Sequence, residues 1–597
     1  MKKIALYILV AAGALLFASS CTNDYLDVKY YSIVNPDGVY EDPDNVLMGL
    51  MGVYNTLYLV KNYYQKPQPA LANLPALDLQ ADGWDAEMST HSWTVDSKSN
   101  FFGSAWENSY IQVSRANTFL RDLEESVKDE VVPPAKKKVY EAEARFIRAY
   151  AYFFLTINFS RVPMLLTGEN YATSPEKARP ENDEAAWKLI KEDFEYAASV
   201  LDWSYPDGMI GRATKTAALA YAAKVNMYLG DFQTAKAQLK EIIDKSGKKL
   251  NPCHGMLHWL DNPDSEETVW EVAFPQFPNM SSSGSSPYRL NYDYRYFGKQ
   301  TRAHEYGGNG DAPITYEYCR SIEPGDKRLM YNVAQWYGDH GDINPYTGDE
   351  IGKSASYRDY FMSGYEGMPN NHGMKWWKDD EYYSAFAVQL YRYTEVLLNY
   401  AECCFETGDD ATGWKQLNDI RNRAWGNLEV GYDPDKSGSS FKFPKSLLNT
   451  TIVTVPDAQT YYTKYAKKEA GAYLGVSWES QGIPVWKVAL TQERRKEFVQ
   501  EFSFWYDLSR MKLVEAWLNS EYPKNGGASF YNTKTGKYYV SSSSDLNEPW
   551  KNASAEERAN MIPVHHRDWD WNPIHLVYPI PTTELTANPL CEQNPGY

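Results

Sequence analysis

Hydrophobic residues recur at helical spacing along several separate segments of the chain. The most regular segment, from Lys137 to Phe159, places apolar side chains at steps of three and four residues, which marks one buried face of a helix. That face consists of Val139, Ala142, Phe146, Ala149, Phe153 and Ile157. Similar patterns predict helices at about 46–60, 108–125 and 184–201. The distribution of polar and apolar residues therefore predicts a mainly α protein.

Two segments have the pattern of a helix, a tight turn and a second helix. The first covers 214–244 and breaks at Gly230, and the second covers 391–425 and breaks at Gly408. Helix pairs with alanine at their crossing points resemble tetratricopeptide units. A last long helix is predicted from about Gln492 to Trp517. Because the units do not recur at a fixed period, we expect a tetratricopeptide-like helix-pair scaffold and no regular solenoid.

Long segments without helical period separate these helices. They cover 67–106, 251–384 and 426–490, and they are rich in Gly, Ser, Pro, Asp and aromatic residues. Their aromatic content is too high for a disordered chain. We expect them to form an irregular second lobe that packs on a scaffold comprising 46–250, 385–425 and 490–520. Since ligand sites favour loops held on a rigid frame, this lobe is the predicted ligand face.

The amino terminus has the pattern of a bacterial lipoprotein signal. Lys2 and Lys3 precede an apolar run from Ile4 to Phe17, which is too short to span a bilayer comfortably. Small residues lead directly to Cys21, and this combination resembles a lipobox. The pattern predicts a signal peptide over 1–20, a lipid anchor on Cys21 and an acidic tether over 21–45. An ordinary secretory signal is the alternative, and in both cases the mature protein leaves the cytoplasm.

The charge of the chain limits its partners. The formal net charge is -18, and removal of the basic signal peptide makes the remaining chain more acidic. Such a charge repels nucleic acid and, less strongly, polyanionic polysaccharides. We therefore expect no nucleic-acid partner and a neutral or cationic ligand.

Most aromatic residues carry a polar atom, with 48 Tyr and 19 Trp against 22 Phe. A sugar ring has an apolar face of C–H groups and a rim of hydroxyls, so it is matched by a flat aromatic ring flanked by polar side chains. The candidates in the loop segments are Trp84 and Trp93 with Asp82 and Asp85, Tyr292 and Tyr294, and Trp336 and Trp376. For each ring, packing between the lobe and the scaffold is the alternative.

Catalytic patterns are incomplete. No nucleophile motif of the form GxSxG is present. Asp82, Asp85 and Glu87 surround Trp84, but the sequence does not tell whether two carboxylates lie ~5 to 10 Å apart across a bond, as glycoside hydrolysis requires. Loop carboxylates more often accept hydrogen bonds from sugar hydroxyls or from the backbone. We therefore expect no enzymatic activity and no catalytic residue.

Metal-binding patterns are also incomplete. His254 and His258 have helical spacing, but Gly255 stands where a zinc-protease motif needs a glutamate. A calcium-like loop begins at Asp433, but its twelfth position, which needs a bidentate glutamate, is Pro444. The five cysteines after the lipobox have no disulfide or CxxC spacing. We predict no metal site and no cofactor, and the sequence leaves a structural calcium ion open.

Several motifs in a fixed order resemble the SusD/RagB family of outer-membrane nutrient-binding lipoproteins. In chain order they are CTNDYLDV, YEAEARFIRAYAYFFLTINFSRVPML, RATKTAALAYAAKVNMYLGDFQTA, YRYTEVLLNYAECCFETG with LNDIRNRA, TQERRKEFVQEFSFWYDLSRMK and LVYPIPTTELTANPLCEQNPGY. They span almost the whole chain. The resemblance implies that the matched residues mainly hold the scaffold; these include Glu493, Arg494, Arg495, Glu497, Phe498 and Pro579 to Pro581.

The resemblance also implies a function. A SusD-like protein binds oligosaccharide at the cell surface without cleaving it, and it closes as a lid over a SusC-like TonB-dependent transporter in the outer membrane. The binding aromatics of the family are not a fixed motif, so the candidate rings above are assigned only by their place in comparable loops. Because the RagB branch takes peptides, peptide capture is the competing binding function. An endo-acting glycan hydrolase is the competing class.

Overall fold

A computed structural model describes most of the chain. It describes residues 36–58, 71–79, 93–170, 173–174, 176–258, 265–272, 314–334, 372–373, 388–433, 445, 448–543, 547–565, 567 and 569–597. Among these residues, no helix is both long and apolar enough to cross a membrane. The signal peptide, Cys21 and the tether up to residue 35 lie outside the described residues.

Helices of the amino-terminal half pack on one another in sequence order from α2 to α6. They are α1 (Pro43–Tyr54), α2 (Asn100–Glu125), α3 (Pro134–Phe159), α4 (Glu184–Val200), α5 (Lys215–Tyr228) and α6 (Phe232–Lys245). Helix α3 has a proline at its first position and buries the predicted Phe146 and Ala149 face against its neighbours. Gly230 joins α5 to α6 with a φ of 77°, which favours glycine because this residue type has no Cβ.

Helices of the second half continue this scaffold, because α9 packs on α6. They are α7 (Tyr316–Ser321), α8 (Arg328–Asn332), α9 (Tyr393–Glu406), α10 (Asp410–Ala424), α11 (Ala458–Ala466), α12 (Val485–Phe498), α13 (Phe504–Arg510), α14 (Val514–Glu521), α15 (Glu548–Asn552), α16 (Ala555–Asn560) and α17 (Thr582–Ala587). Both predicted helix–turn–helix units are present, as α5 with α6 and as α9 with α10. The prediction of a mainly α fold is confirmed.

Short antiparallel strands join distant parts of the chain. Strand β1 (Thr268–Val272) pairs with β4 (Val388–Arg392), and β2 (Val333–Ala334) pairs with β3 (His372–Gly373). Near the carboxyl terminus, β5 (Phe530–Asn532) lies between β6 (Tyr538–Tyr539) and β7 (Met561–Pro563). We call these last three strands the C-terminal sheet.

The single long helix predicted from Gln492 to Trp517 is wrong. The structure has three helices there, α12, α13 and α14, with a break after Phe498. Val499 is extended, and Gln500 has a φ of 64°, an unusual conformation for a residue with a side chain. The break turns the buried Glu501 toward the core, where it binds an arginine of β4. A specific ion pair therefore fixes a turn that hydrophobic periodicity does not reveal.

Two boundaries of the predicted ligand lobe also need correction. Trp106 lies in α2, which begins at Asn100, and its indole N–H donates to the Glu584 carboxylate at 3.1 Å. The described part of 426–490 includes α11, which packs on α12 and buries Tyr462 and Tyr465. This helix has only nine residues, which is too short for a clear periodic signal.

Candidate ligand-binding face

Three antiparallel residue pairs lie at the ends of the chain segments that contain the predicted ligand residues. The pairs are Leu79 with Ile314, Val272 with Val388 and Ala334 with His372. We call these three pairs root 1, root 2 and root 3, in the order given. Four chain segments begin or end at a root: 80–92, 273–313, 335–371 and 374–387. The segments themselves lie outside the described residues.

Helix α12 contacts the elements that carry the roots, and its segment from Val488 to Phe498 is buried although it is highly charged. All six residues from Glu493 to Phe498 have exposed fractions of 0 or 1%. Buried ionised groups are costly unless opposite charges and hydrogen bonds surround them. The partners of this segment therefore show what the helix supports.

Root 1 is attached to α12 through Asp78. The Arg495 guanidinium donates from Nε to Asp78 Oδ1 at 2.8 Å, and the Tyr522 hydroxyl donates to the same oxygen at 2.6 Å. The backbone N–H of Thr315 donates to the Asp78 carbonyl at 2.9 Å. Burial raises the pKa of Asp78 to about 6, although the Arg495 guanidinium opposes this shift. Asp78 thus binds α12 through its carboxylate and the other segment of root 1 through its backbone carbonyl.

Root 2 is attached to α12 through Arg392, the last residue of β4. Its guanidinium donates to Glu497 at 2.9 Å, to Glu501 at 2.7 Å and to Glu267 at 2.7 Å. Glu267 directly precedes β1, so the arginine binds the ends of both paired strands. Arg423 of α10 donates to Glu267 at 2.9 Å and also binds Glu497.

Root 3 is attached through α8, which directly precedes β2. The guanidinium of Arg328 lies 2.8 Å from Glu493 and 3.3 Å from Glu497. One residue before the strand, the Asn332 side-chain amide donates to the Lys496 carbonyl at 2.9 Å. The elements that carry the three roots therefore contact the same two turns of α12, and for β1 and β4 the contact lies at the strand ends away from root 2.

A fifth segment of the predicted ligand loops, around 434–447, begins and ends near α8, which carries root 3. Glu429 precedes it and Asn449 follows it, and the Asn449 backbone N–H donates to the Glu429 carboxylate at 2.9 Å. The same carboxylate accepts a hydrogen bond from the Tyr331 hydroxyl of α8 at 3.1 Å and binds Lys327. The ends of this segment are therefore attached to the same part of the scaffold as the ends of the other four.

We call the buried charges that join the roots the ionic hub. It comprises Asp78, Glu267, Arg328, Arg392, Arg421, Arg423, Glu493, Arg495, Glu497 and Glu501. Burial alone would raise the pKa of Glu493, but Arg328, Lys496 and Arg421 lower it to about 2. Burial also opposes ionisation of Glu497, yet the Arg423 guanidinium, with His254 and Arg392, holds its pKa well below the usual range. Both carboxylates are charged at neutral pH.

Most of the predicted site residues lie outside the described residues. These are Asp82, Trp84, Asp85, Tyr292, Tyr294, Trp336 and Trp376, together with the lipidation residue Cys21. Their roles stay predictions. The structure adds that each chain segment that carries these seven candidate ligand residues begins or ends at one of the three roots.

Trp93 is the one candidate ring that the structure describes, and it lies in the core. Its exposed fraction is 2%, and its ring centroid lies 6.5 Å from Trp505, 6.1 Å from Trp569 and 5.6 Å from Trp571. Such a ring offers no open face to a sugar. We therefore correct its assignment from a ligand-binding ring to a packing residue, which is the alternative that the sequence left open.

The candidate metal ligands have other partners. His254 is buried, its Nε2 lies 2.8 Å from the Asn332 side-chain oxygen, and its Nδ1 lies 3.5 Å from Glu497. Asp433 forms an ion pair with Lys445 at 3.1 Å. Across the described ranges, no group of three or more His, Cys, Asp or Glu side chains is arranged to hold a metal ion. A structural calcium ion therefore stays open, and the absence of a cofactor stays a prediction.

Sequence reasoning missed most partners of the ERRKEF segment. Arg328, Arg392 and Arg423 are three of the five arginines of the hub, and none was a candidate. A usable signal exists for Arg392, because Leu390 and Tyr391 precede it and Tyr393 follows it in the segment VQLYRYTEV. A charged residue in a segment that is otherwise buried indicates a partner in the core.

Asp78→Asn tests the attachment of root 1. The folded protein binds a proton at Asp78 more tightly than the unfolded chain does, because its pKa is about 6 and not 3.8. The resulting stabilisation is full below about pH 3.8 and is lost as the pH rises through about 6. When the pH is lowered from about 7 to about 4, the unfolding free energy of wild type should rise relative to that of Asp78→Asn by on the order of 2 kcal/mol. Urea denaturation at several pH values measures it, and a constant difference contradicts it.

Comparison with known families agrees with this architecture. A family model described as "SusD family" matches residues 267–597, and a model described as "Starch-binding associating with outer membrane" matches residues 24–229. A SusD-like protein of Bacteroides ovatus is 24% identical over 445 residues, which are 70% of this chain and 76% of the relative. SusD-like protein P2 of Formosa agariphila is 23% identical and covers 71% and 74% of the two chains.

Solved structures share the same fold. A SusD homolog from Bacteroides thetaiotaomicron has a TM-score of 0.64 at 18% identity and covers 94% of this chain and 98% of its own. Surface glycan-binding protein A from Bacteroides fluxus has a TM-score of 0.59 at 19% identity and covers 93% and 99%. Since the first family model alone matches more than half of the residues, this chain belongs to the SusD/RagB family.

Proposed function

We propose that this protein is a cell-surface lipoprotein of the outer membrane that binds oligosaccharide without cleaving it. It delivers the bound sugar to a SusC-like TonB-dependent transporter, over which it acts as a lid. One observation carries the proposal: the aromatic-rich segments begin or end at three roots, and one buried ionic hub joins the elements that carry these roots. A rigid base of this kind suits a ligand face whose specificity lies in variable loops.

The choice of a sugar ligand rests on residue chemistry and on relatives. Trp84, Tyr292, Tyr294, Trp336 and Trp376 lie in these loops and have the amphipathic rings that match a pyranose face. Structural neighbours include proteins described as surface glycan-binding and carbohydrate-binding. The acidic net charge of -18 favours a neutral oligosaccharide.

Attachment to the outer membrane rests on Cys21. Cys21→Ser removes the thiol that would carry the diacylglyceryl group, so the variant has no acyl chain to hold it on a membrane. We expect the variant in the soluble fraction and unlabelled by radioactive palmitate, whereas wild type is labelled and pellets with the outer membrane. A variant that still pellets and is still labelled would exclude Cys21 as the anchor.

A glycan panel tests the binding function. Affinity electrophoresis of the mature protein in gels that contain neutral or acidic polysaccharides identifies binders, and calorimetry with the matching oligosaccharides gives affinities. Product analysis after long incubation should show intact chains. Chain shortening would support the endo-acting hydrolase, and tight peptide binding without glycan binding would support the RagB-like alternative. Either result would overturn the proposal.

A further inference from the structure

An uncharged surface segment between α10 and α11 has the burial pattern of a strand, but it pairs with no strand among the described residues. Segment 450–455 reads TTIVTV, so each of its residues is β-branched and favours extended backbone. Over 452–456, exposed residues alternate with the half-buried Val453 and Val455. A period of two is that of an extended chain, whose successive side chains point to opposite faces. We call 450–455 the TTIVTV segment.

One edge of the TTIVTV segment is held by the end of α10 and the turn that follows it. The backbone N–H of Val453 donates to Asn427 Oδ1 at 2.8 Å, and the Asn427 side-chain amide donates to the Val453 carbonyl at 3.0 Å. Two paired residues of antiparallel strands exchange hydrogen bonds in the same way. Arg421 of the ionic hub donates to the Pro456 carbonyl at 3.1 Å. Side chains therefore fix this edge where a neighbouring strand would lie.

The opposite edge of the TTIVTV segment is open. The backbone groups of neighbouring residues in a strand point to opposite edges, so those of Ile452 and Thr454 point away from Asn427. Within the part of the chain that the structure describes, these groups make no hydrogen bond. Both residues are exposed, Ile452 by 68%, and Leu428 beside Asn427 is 45% exposed. A row of free N–H and C=O groups is a template for another strand.

The open edge lacks the features that usually protect edge strands. Natural edges carry charges, especially lysine, or proline, and these prevent pairing with other chains. The TTIVTV segment has no charge, and Pro456 follows its last residue. Short uncharged segments with high β-propensity and no proline are those that pair most readily. Because the other edge is held by specific hydrogen bonds, this segment is a fixed and accessible site for strand addition.

We propose that the TTIVTV segment docks an extended polypeptide of a partner protein, which adds to its open edge as a second strand. Free backbone donors and acceptors at strand spacing are complementary to another main chain. Charge favours a neutral or basic partner, because two copies of a chain with a net charge of -18 repel each other. The exposed Asp457 favours a lysine or arginine next to the partner's strand. The docked strand lies at one end of the predicted ligand segment 434–447.

A synthetic peptide tests the docking site. The probe is an octapeptide with a lysine at each end and alternating threonine and valine between them, which combines high β-propensity with positive charge. Fluorescence anisotropy with the mature protein should show saturable binding. A control peptide of the same sequence carries N-methyl groups on every central residue. It lacks the backbone donors of a strand and should not bind.

Two substitutions at one position separate backbone pairing from side-chain contact. Thr454→Pro removes a free N–H and breaks no hydrogen bond of the described residues, so it should keep the fold and weaken peptide binding at least about tenfold. Thr454→Val keeps the N–H and the shape, and it should bind like wild type. Hydrogen exchange gives a second measurement. The amides of Ile452 and Thr454 should exchange rapidly in the free protein and slowly with the peptide bound.

Several results would overturn the proposal. They include no binding of the probe to wild type, and equal binding of the N-methylated peptide or by Thr454→Pro. Slow exchange of these amides in the free protein would show that another part of the chain covers the edge. A dimer that Thr454→Pro dissociates in sedimentation would assign the edge to a second copy. If Thr454→Pro does not fold, exchange in wild type with the two peptides decides. Glycan binding is not involved, so the proposed function can fail separately.

Discussion

Replacing Glu497 with glutamine is expected to lower the free energy of unfolding by about 3 to 5 kcal/mol. The Glu497 carboxylate binds Arg423 and lies 2.9 Å from Arg392 and 3.3 Å from Arg328. Glutamine keeps the shape but removes the charge, so buried guanidinium groups lose their shared counter-charge. Breaking a buried ion pair from one side is far more damaging than losing a surface pair, which is worth about 0 to 1 kcal/mol.

The same substitution should weaken ligand binding in the protein that remains folded. Glu497 links the element of root 2 through Arg392 and that of root 3 through Arg328, so loss of its charge weakens the attachment of both elements to α12. We expect oligosaccharide affinity to fall about tenfold or more, measured by calorimetry well below the unfolding temperature.

Two further variants control this experiment. Glu515→Gln removes an exposed carboxylate of α14 and should leave both stability and affinity unchanged. Glu501→Gln affects the hub at its edge, where Glu501 binds Arg392 at 2.7 Å, and it keeps the experiment informative if Glu497→Gln does not fold. Urea denaturation followed by tryptophan fluorescence gives the stabilities. Wild-type stability and affinity in both hub variants would show that the hub does not support the ligand face.

The sequence predicted the helical scaffold well because long amphipathic periods are a local property. The Val139 to Ile157 pattern corresponds to α3, and the breaks at Gly230 and Gly408 separate the helices of both predicted pairs. Glycine with positive φ at a turn is readable from sequence, since other residues adopt that conformation at a cost.

The hub could not be predicted because its pairs are distant in the chain. Arg495 and Asp78 are 417 positions apart, and Arg392 and Glu497 are 105 apart. Composition suggests that charged residues are exposed, and only the fold brings these opposite charges together. The turn at Gln500 was missed for the same reason, because Glu501 is drawn toward an arginine that precedes it by more than a hundred residues.

Two tryptophan-to-alanine substitutions should separate the core from the ligand face. Trp93→Ala removes a ring that packs among Trp505, Trp569 and Trp571, and it should cost about 3 to 5 kcal/mol of unfolding free energy. Trp84→Ala removes the same number of atoms from a predicted ligand loop, and it should change stability by less than about 0.5 kcal/mol while weakening oligosaccharide binding.

The pair is informative because the chemical change is identical and only the environment differs. Denaturation midpoints and calorimetric affinities are measured for both variants, with Trp93→Phe as a conservative control that keeps much of the packing. If Trp93→Ala has wild-type stability and does not bind glycan, Trp93 is a ligand-binding residue and not a packing residue. Unfolding of Trp84→Ala would assign that ring to the core instead. In the expected result, the core ring determines stability and the loop ring determines affinity, as a loop-borne site on a rigid base requires.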